Sequence, residues 1–364
     1  MSISTELLNT TFADLRGPLV NSFVRSNELF EALTTKARMP MEGGTRIERS
    51  FAGGAPARGV GVYVGDELLN MTRRQQINRF QVEPHRIVVA VNIPKRELNQ
   101  NSGKLAVIRL IEEYPQTTME AVKADLNKYF LTGVSRGLVF TTSELKGFLT
   151  LNGHVSDGIG TGVTNGLIDF RTTAEQDSDA ESVQGVTKSS TISHFNQFED
   201  VTSTSGFAAN GLHPLRRVYR KCAHYAGGPG KGPDLVIMDD DTYTLYDQNL
   251  LQNNVRINLV DDKTDKSNTM ALTLGLAKVH SSIDLDKDDS AFSGSDASDG
   301  VSYFLNTDYL EFPMLEAPNI SEFKERVGDQ DVVTALFAMQ GNMICTKLPA
   351  QGAVTGTAGT TATS

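Results

Sequence analysis

TRIERSFA (residues 45–52) and RFQVEPHRIVVAVNI (residues 79–93) stand on either side of a turn-rich middle, and the way they pair decides the architecture. In the first, Ile47 and Phe51 alternate with polar neighbours, the two-residue period of a strand covered on one face. GVGVYV (59–64) reads as a second strand beyond the turn residues GGAPAR (53–58), and the third candidate closes at Pro94, which lacks the N–H that a ladder needs. Together they predict a long polar hairpin with little apolar surface of its own. Such a hairpin is marginal in isolation and needs a surface to lie against.

Charge sharpens that expectation. Residues 36–96 carry eleven Arg or Lys against five acids, a net of +6 in a chain of formal net charge −10, so the remainder carries −16. The acid is densest in EQDSDAE (175–181) and DLDKDDSAFSGSDASD (284–299). An overall charge of −10 speaks against a protein whose main work is gripping nucleic-acid phosphates. A basic arm and acidic patches on one polypeptide suit contact between copies of the chain.

The 364 residues, 39% of them apolar, suffice for two domains or one elaborate one. The first thirty residues lack a basic start followed by an apolar core, and runs such as IVVAVNI (87–93) fall short of the ~18 residues of a membrane span, so the expectation is a soluble chain made in the cytoplasm, with no membrane partner. Cys222 and Cys345 lie far apart without metal-ligand spacing and read as small core residues. The acceptor sites at Asn9, Asn70 and Asn319 then carry no sugar. Histidines at 85, 154, 194, 213, 224 and 280 never recur at three- or four-residue spacing, so no metal or other cofactor is expected. Asp284, Asp286 and Asp288 match the first three ligand positions of a calcium loop, but Asp289 and Ser295 stand where that loop has glycine and glutamate. An acidic solvated loop is the simpler reading.

Two motifs fail on context. GGPGKGP (227–233) looks like a phosphate-binding loop, yet LRRVYRKCAHYA (215–226) before it reads as a helix and PDLVIM (233–238) after it as a buried strand, the reverse of the strand–loop–helix order. GVSRG (133–137) satisfies the nucleophile-elbow pattern around Ser135, but a helix enters it and the apolar GLVFTT leaves. That helix is expected in two pieces. GKLAVIRLIEEY (103–114) stops at Pro115, and TTMEAVKADLNKYFLTG restarts with Thr117 and Glu120 as a capping box. Met119, Val122, Leu126 and Phe130 mark its core face, and Gly133 ends it. Downstream, SYFLNTDYLEF (302–312) and DVVTALFAMQGNMICTKLP (331–349) read as strands, the latter a pair joined at Gln340, Gly341 and Asn342, while the tail AQGAVTGTAGTTATS is too simple to pack a core by itself.

The order of these features, GGTRIERSF opening a basic hairpin, an amphipathic helix closed by Gly133, PDLVIMDDDTYTLY as strand into helix, then YFLNTDYL and a strand pair around Gly341 and Asn342, resembles the major capsid proteins of tailed bacteriophages, which share the Hong Kong ninety-seven capsid fold. The resemblance spans roughly residues 5–350 and rests on order and character. It implies an α+β fold with an N-terminal arm (1–40), an extended β-hairpin loop lying over a neighbouring subunit (41–94), the spine helix of a peripheral domain (95–133), an axial domain (134–300), peripheral-domain strands (301–350) and a low-complexity tail (351–364).

By that resemblance the chain is no enzyme but a major capsid protein, self-assembling through hexamers and pentamers into an icosahedral virion shell around double-stranded DNA, without sequence-specific binding, in the cytoplasm of a bacterial host. Its further partners would be a portal protein, a separate scaffolding protein, for which the short N-terminal arm leaves no substitute, and a decoration protein. Relatives that weld subunits through a loop lysine are not matched, since residues 41–94 contain none. The hairpin arginines Arg46, Arg49, Arg73, Arg74, Arg79 and Arg86 are the expected contacts to acidic surface on adjacent copies. Two alternatives stay open: an encapsulin-type bacterial compartment, and a serine hydrolase using Ser135.

Overall fold

The computed structural model describes residues 29, 32–33, 38–41, 43–52, 77–100, 104–145, 147–152, 166–170, 182–187, 194–201, 212–252, 272–285, 300–325 and 332–356. GVGVYV (59–64), Arg73, Arg74, Asp286 and Asp288 lie outside them.

The described strands of the first half are β1 (Arg38–Pro40), β2 (Ile47–Ala52), β3 (Ile77–Val82), β4 (His85–Pro94), β5 (Thr150–Asn152), β6 (Gly166–Ile168), β7 (Ser182–Val183), β8 (Val186–Thr187) and β9 (Gln197–Asp200), with helices α1 (Lys95–Gln100) and α2 (Lys104–Thr132). The second half holds α3 (His213–Ala226), β10 (Leu235–Met238), α4 (Asp240–Gln252), β11 (Leu272–Leu274), β12 (Ala277–Ser281), β13 (Val301–Leu305), β14 (Leu310–Ile320), β15 (Lys324–Glu325), β16 (Val332–Gly341), β17 (Ile344–Cys345) and β18 (Gly352–Thr355).

Two six-stranded sheets organise the described residues. In the first, β16 pairs along its whole length with β4, from Val332 opposite Pro94 to Gly341 opposite His85, and on its other side with β14 and β15. β14 in turn carries β1 in parallel and β17 antiparallel. Strand β4 alternates strictly: Ile87, Val89, Val91 and Ile93 are buried while Arg86, Val88, Ala90 and Asn92 are exposed. The buried face shares one core with α2, whose Phe130 meets Phe312 and Phe148 edge-on at 6.0 and 6.2 Å.

The second sheet runs β11-β12-β10-β13-β18-β9. Its central strands are buried on both faces, so LVIM and YFL read as unbroken apolar runs. Alternate residues divide between two cores: Val236, Met238, Phe304 and Val354 face α3 with Leu215, Val218 and Cys222, whereas Leu235, Ile237, Tyr303, Leu305 and Ala353 join the core of the first sheet. Tyr303 reaches across that shared core to donate to the Leu131 carbonyl of α2 at 3.1 Å.

Several expectations need correction. Helix α2 does not break at Pro115; it runs through it for 29 residues, and no cap forms at Thr117. An interior proline costs about 3 kcal/mol, but Met119, Val122, Leu126 and Phe130 are all at most 2% exposed, and each such burial contributes ~1.5–3 kcal/mol. Packing outweighs the lost bond. RFQVEPHRIVVAVNI is two strands, since the chain turns at Glu83–Pro84 and β4 leaves the hairpin for the first sheet. YFLNTDYLEF also splits, β13 entering the second sheet and β14 the first, so the segment 301–350 straddles both sheets. β17 pairs with β14 rather than folding back on β16. The simple-looking GAVT of the tail is strand β18, fully buried between β13 and β9. It packs because its small side chains fit beneath α3: a Cβ on Gly352 would stand 2.7 Å from Val218 and 2.8 Å from Cys222.

Candidate functional site

The hairpin base is a six-residue antiparallel ladder, Ile47 opposite Val82 and Ala52 opposite Ile77. It is less naked than its sequence implies. Ile47, Phe51, Phe80 and Val82 are all 7% exposed or less, with the Phe51 ring tilted against His194 at 4.5 Å and the Gln81 N–H directed to the Gln184 carbonyl at 3.4 Å. Gln184 and Gly185 take positive φ (55° and 76°), the two-residue turn that lets β7 and β8 tuck beneath β3. The described base is therefore anchored on its own chain.

The same holds for its cations. Arg46 lies 3.5 Å from Glu83, Arg49 3.3 Å from Glu311, Arg79 2.9 Å from Glu48 and Arg86 3.0 Å from Glu316. The four described members of the six expected contacts thus have carboxylates of the same chain. Their side chains remain 38–66% exposed, where a pair contributes only ~0.2–1 kcal/mol.

Below the hairpin, buried polar corners lock the body. Asn342, fully buried where β16 turns into β17, accepts from the N–H groups of Leu149 (2.9 Å) and Met343 (2.8 Å) and donates to the carbonyls of Glu83 (2.9 Å) and Gly147 (3.0 Å). The two stretches that look most like motifs meet in a second corner. Asn306 and Thr307 of LNTDY bind the GGPGKGP turn: Asn306 donates to the Lys231 carbonyl at 2.8 Å, and Thr307 holds Asp234 through its N–H (2.8 Å) and hydroxyl (2.5 Å). Gln351 and Asn306 exchange a reciprocal pair at 2.7 and 3.0 Å, and Tyr309 donates to the Ala226 carbonyl at 2.9 Å. Gly227, at φ 115°, closes α3, and the N–H groups of Gly227 and Gly228 return to His224 and Ala223. The glycines end a helix and release a strand; they do not form a phosphate cradle.

GVSRG is likewise structural. The Ser135 hydroxyl donates to the Phe140 carbonyl at 2.6 Å and accepts from the Gly137 N–H at 3.1 Å, while the buried Asp125 of α2 accepts from the N–H groups of Leu138, Val139 and Phe140. Asp284, first in the calcium-like spacing, is engaged by Arg136 and Asn127. Among the described residues no cluster of three His, Cys, Asp or Glu side chains could hold a metal, and no helix is long and apolar enough to cross a membrane. Burial pushes both thiols up, Cys345 to about 12, so neither is a ready nucleophile. Buried Asp239 is raised chiefly by desolvation, against the N–H groups of Thr242 and Val301 that it caps.

No protein-family model matches the chain, and no curated protein is similar to it in sequence. Solved structures are. A chain of the cyanophage A-1(L) capsid asymmetric unit is similar over 91% of this chain and 93% of its own, at a TM-score of 0.55 and 13% identity. The capsid of Myoviridae phage XM1 aligns over 89% and 92% (TM-score 0.46, 12% identity), and a virus-like particle from Pyrococcus furiosus over 94% and 98% (TM-score 0.41, 9% identity). The cyanophage likeness bears out the α+β capsid fold expected from the order of features, with few helices, two main sheets and a long helix across one of them.

Proposed function

We propose that the chain is a major capsid protein of a tailed bacteriophage, a subunit that assembles with copies of itself into an icosahedral shell around double-stranded DNA. The observation that carries this reading is the likeness to a capsid chain over nearly the whole of both chains. Fold alone does not assign function, but the internal design supports it. The described polar groups that could suggest chemistry are spent on structure: Ser135 on Phe140, Asp284 on Arg136, Asn306 on the GGPGKGP turn. What remains is surface, and a protein that works by surface is a builder or a binder.

In this reading the hairpin projects from a rigid base, and its outer part meets the neighbouring subunit. Arg46, Arg49, Arg79 and Arg86 enter the interface already half neutralised by Glu83, Glu311, Glu48 and Glu316, so they set register by exchanging partners rather than by adding charge. Arg73 and Arg74 keep their proposed place as contacts to a neighbour's acid. Hexamers and pentamers, a scaffolding protein, a portal and a decoration protein belong to the same proposal.

Light scattering of the purified chain at high concentration, with negative-stain microscopy of the same sample, tests the reading. Shells, tubes or capsomer rings are expected, alone or on co-expression with the adjacent structural genes. A chain that stays monomeric under both conditions overturns it. R73E/R74E should impair particles while leaving the subunit folded.

A further inference from the structure

The solvent face of α3 carries one kind of side chain. Residues 213–226, HPLRRVYRKCAHYA, contain no acid, and the positions turned from the core are His213, Arg216, Arg217, Arg220, Lys221 and His224, with Tyr219 and Tyr225 at the margin. The opposite stripe, Leu215, Val218, Cys222, Ala223 and Ala226, is at most 4% exposed, so the basic face is held rigidly on the second sheet. Glu199 of β9 takes Arg217 at 2.8 Å and Lys221 at 3.4 Å, fixing two cations one turn apart. Arg216 and Arg220, also one turn apart, have no carboxylate partner among the described residues; Arg220 donates instead to the Arg216 carbonyl at 3.2 Å. Four cations against one carboxylate leave three positive charges within about 7.5 Å of helix axis, between Arg216 and Lys221.

This is unlike the hairpin, where each described arginine has its own acid. It also stands out in a chain of net charge −10, whose average surface repels polyanions. We propose that the basic face of α3 binds the phosphate backbone of double-stranded DNA without reading sequence, an assignment that rests on the shell reading for its biological setting. The chemistry fits a rod of charge. Duplex DNA offers one phosphate charge per ~1.7 Å of axis, enough to engage all four cations along the helix at once. An isolated carboxylate cannot do so, and Glu199 already supplies that kind of partner to half of the face. Guanidinium forks at three of the four positions suit phosphate oxygens.

The test is fluorescence-anisotropy titration of the full chain, wild type and R216A/R220A, with two short duplexes of unrelated sequence over a range of salt. Both substituted side chains are exposed, so the fold should survive, and circular dichroism checks it. Equal binding to both duplexes is expected, with the salt slope shallower by about 2 in the variant, roughly one unit per lost phosphate contact. Unchanged affinity and slope in the variant, or preference for one duplex, overturns the proposal. So does competition by polyglutamate as effective as by DNA at equal charge, which assigns the face to an acidic protein segment. Particle formation is scored separately. DNA binding lost in the variant with no particles from either protein, alone or on co-expression with the adjacent structural genes, keeps the DNA surface and refutes the shell; particles lost in the variant with DNA binding intact makes α3 a contact between copies.

Discussion

The polar groups around Asn342 and those on the hairpin use the same chemistry to opposite ends. Asn342 is sealed from water and makes four hydrogen bonds to the backbone of three separate segments. The hairpin arginines keep 38–66% of their side chains exposed in their ion pairs, and Glu48 is shared between Arg79 and Gln81. In the first region removal of one partner strands buried donors and acceptors; in the second, solvent replaces whatever is lost. In the proposed capsid reading, a subunit that kept its shape while its contacts were remade would benefit from both arrangements.

Breaking the buried corner should give the largest effect. N342A strands the N–H groups of Leu149 and Met343 and the carbonyls of Glu83 and Gly147, and should lower unfolding free energy by about 3–5 kcal/mol in chemical denaturation. N342D sharpens the point. Its carboxylate can still accept both N–H bonds but sets an oxygen against two carbonyls, so a loss close to that of alanine is expected; a near-native N342D would show that the carbonyls are indifferent to their donor.

Gly147 tests the same corner through the backbone. It sits at φ 103°, and a Cβ there would stand 2.4 Å from the His85 ring. G147A should cost about 2–3 kcal/mol, part steric and part conformational. Adding H85A should return only the steric part, leaving roughly 1 kcal/mol from the positive φ. Complete recovery in the double variant would mean that the ring contact is the whole constraint.

How much of this was legible depended on whether a segment's partner was local. The α2 face, the GGPGKGP stop and the LVIM strand were readable because period and turn chemistry act within a dozen residues. The fate of YFLNTDYLEF was not: its change of sheet at Asn306–Tyr309 is set by Lys231, Asp234 and Gln351, up to 75 positions away. GAVT looked featureless because its role depends on having no bulk, which only the Val218 and Cys222 side chains above it reveal. Local cost alone predicts a helix break at Pro115, and burial further along reverses it. For the arginines, sequence supplied the charge and its density but not the acids at 311 and 316, which the pairing of β14 brings alongside. The basic run of α3 is visible in the sequence as RRVYRK, but which of its sides the core covers is set by the distant strands of the second sheet.

The hairpin pairs should give the smallest effect, and the most useful one. In a double-mutant cycle of R79A and E48A on the isolated subunit, the coupling energy should be no more than about 0.5 kcal/mol, since the side chains are 66% and 41% exposed, and it should fade with salt. The same cycle scored on particle yield should show a larger coupling if these residues trade partners between copies, because a small bias in register repeats at every interface of a shell. Equal coupling in both assays would mean that the pair belongs to the subunit alone, and the contact role would then pass to Arg73 and Arg74.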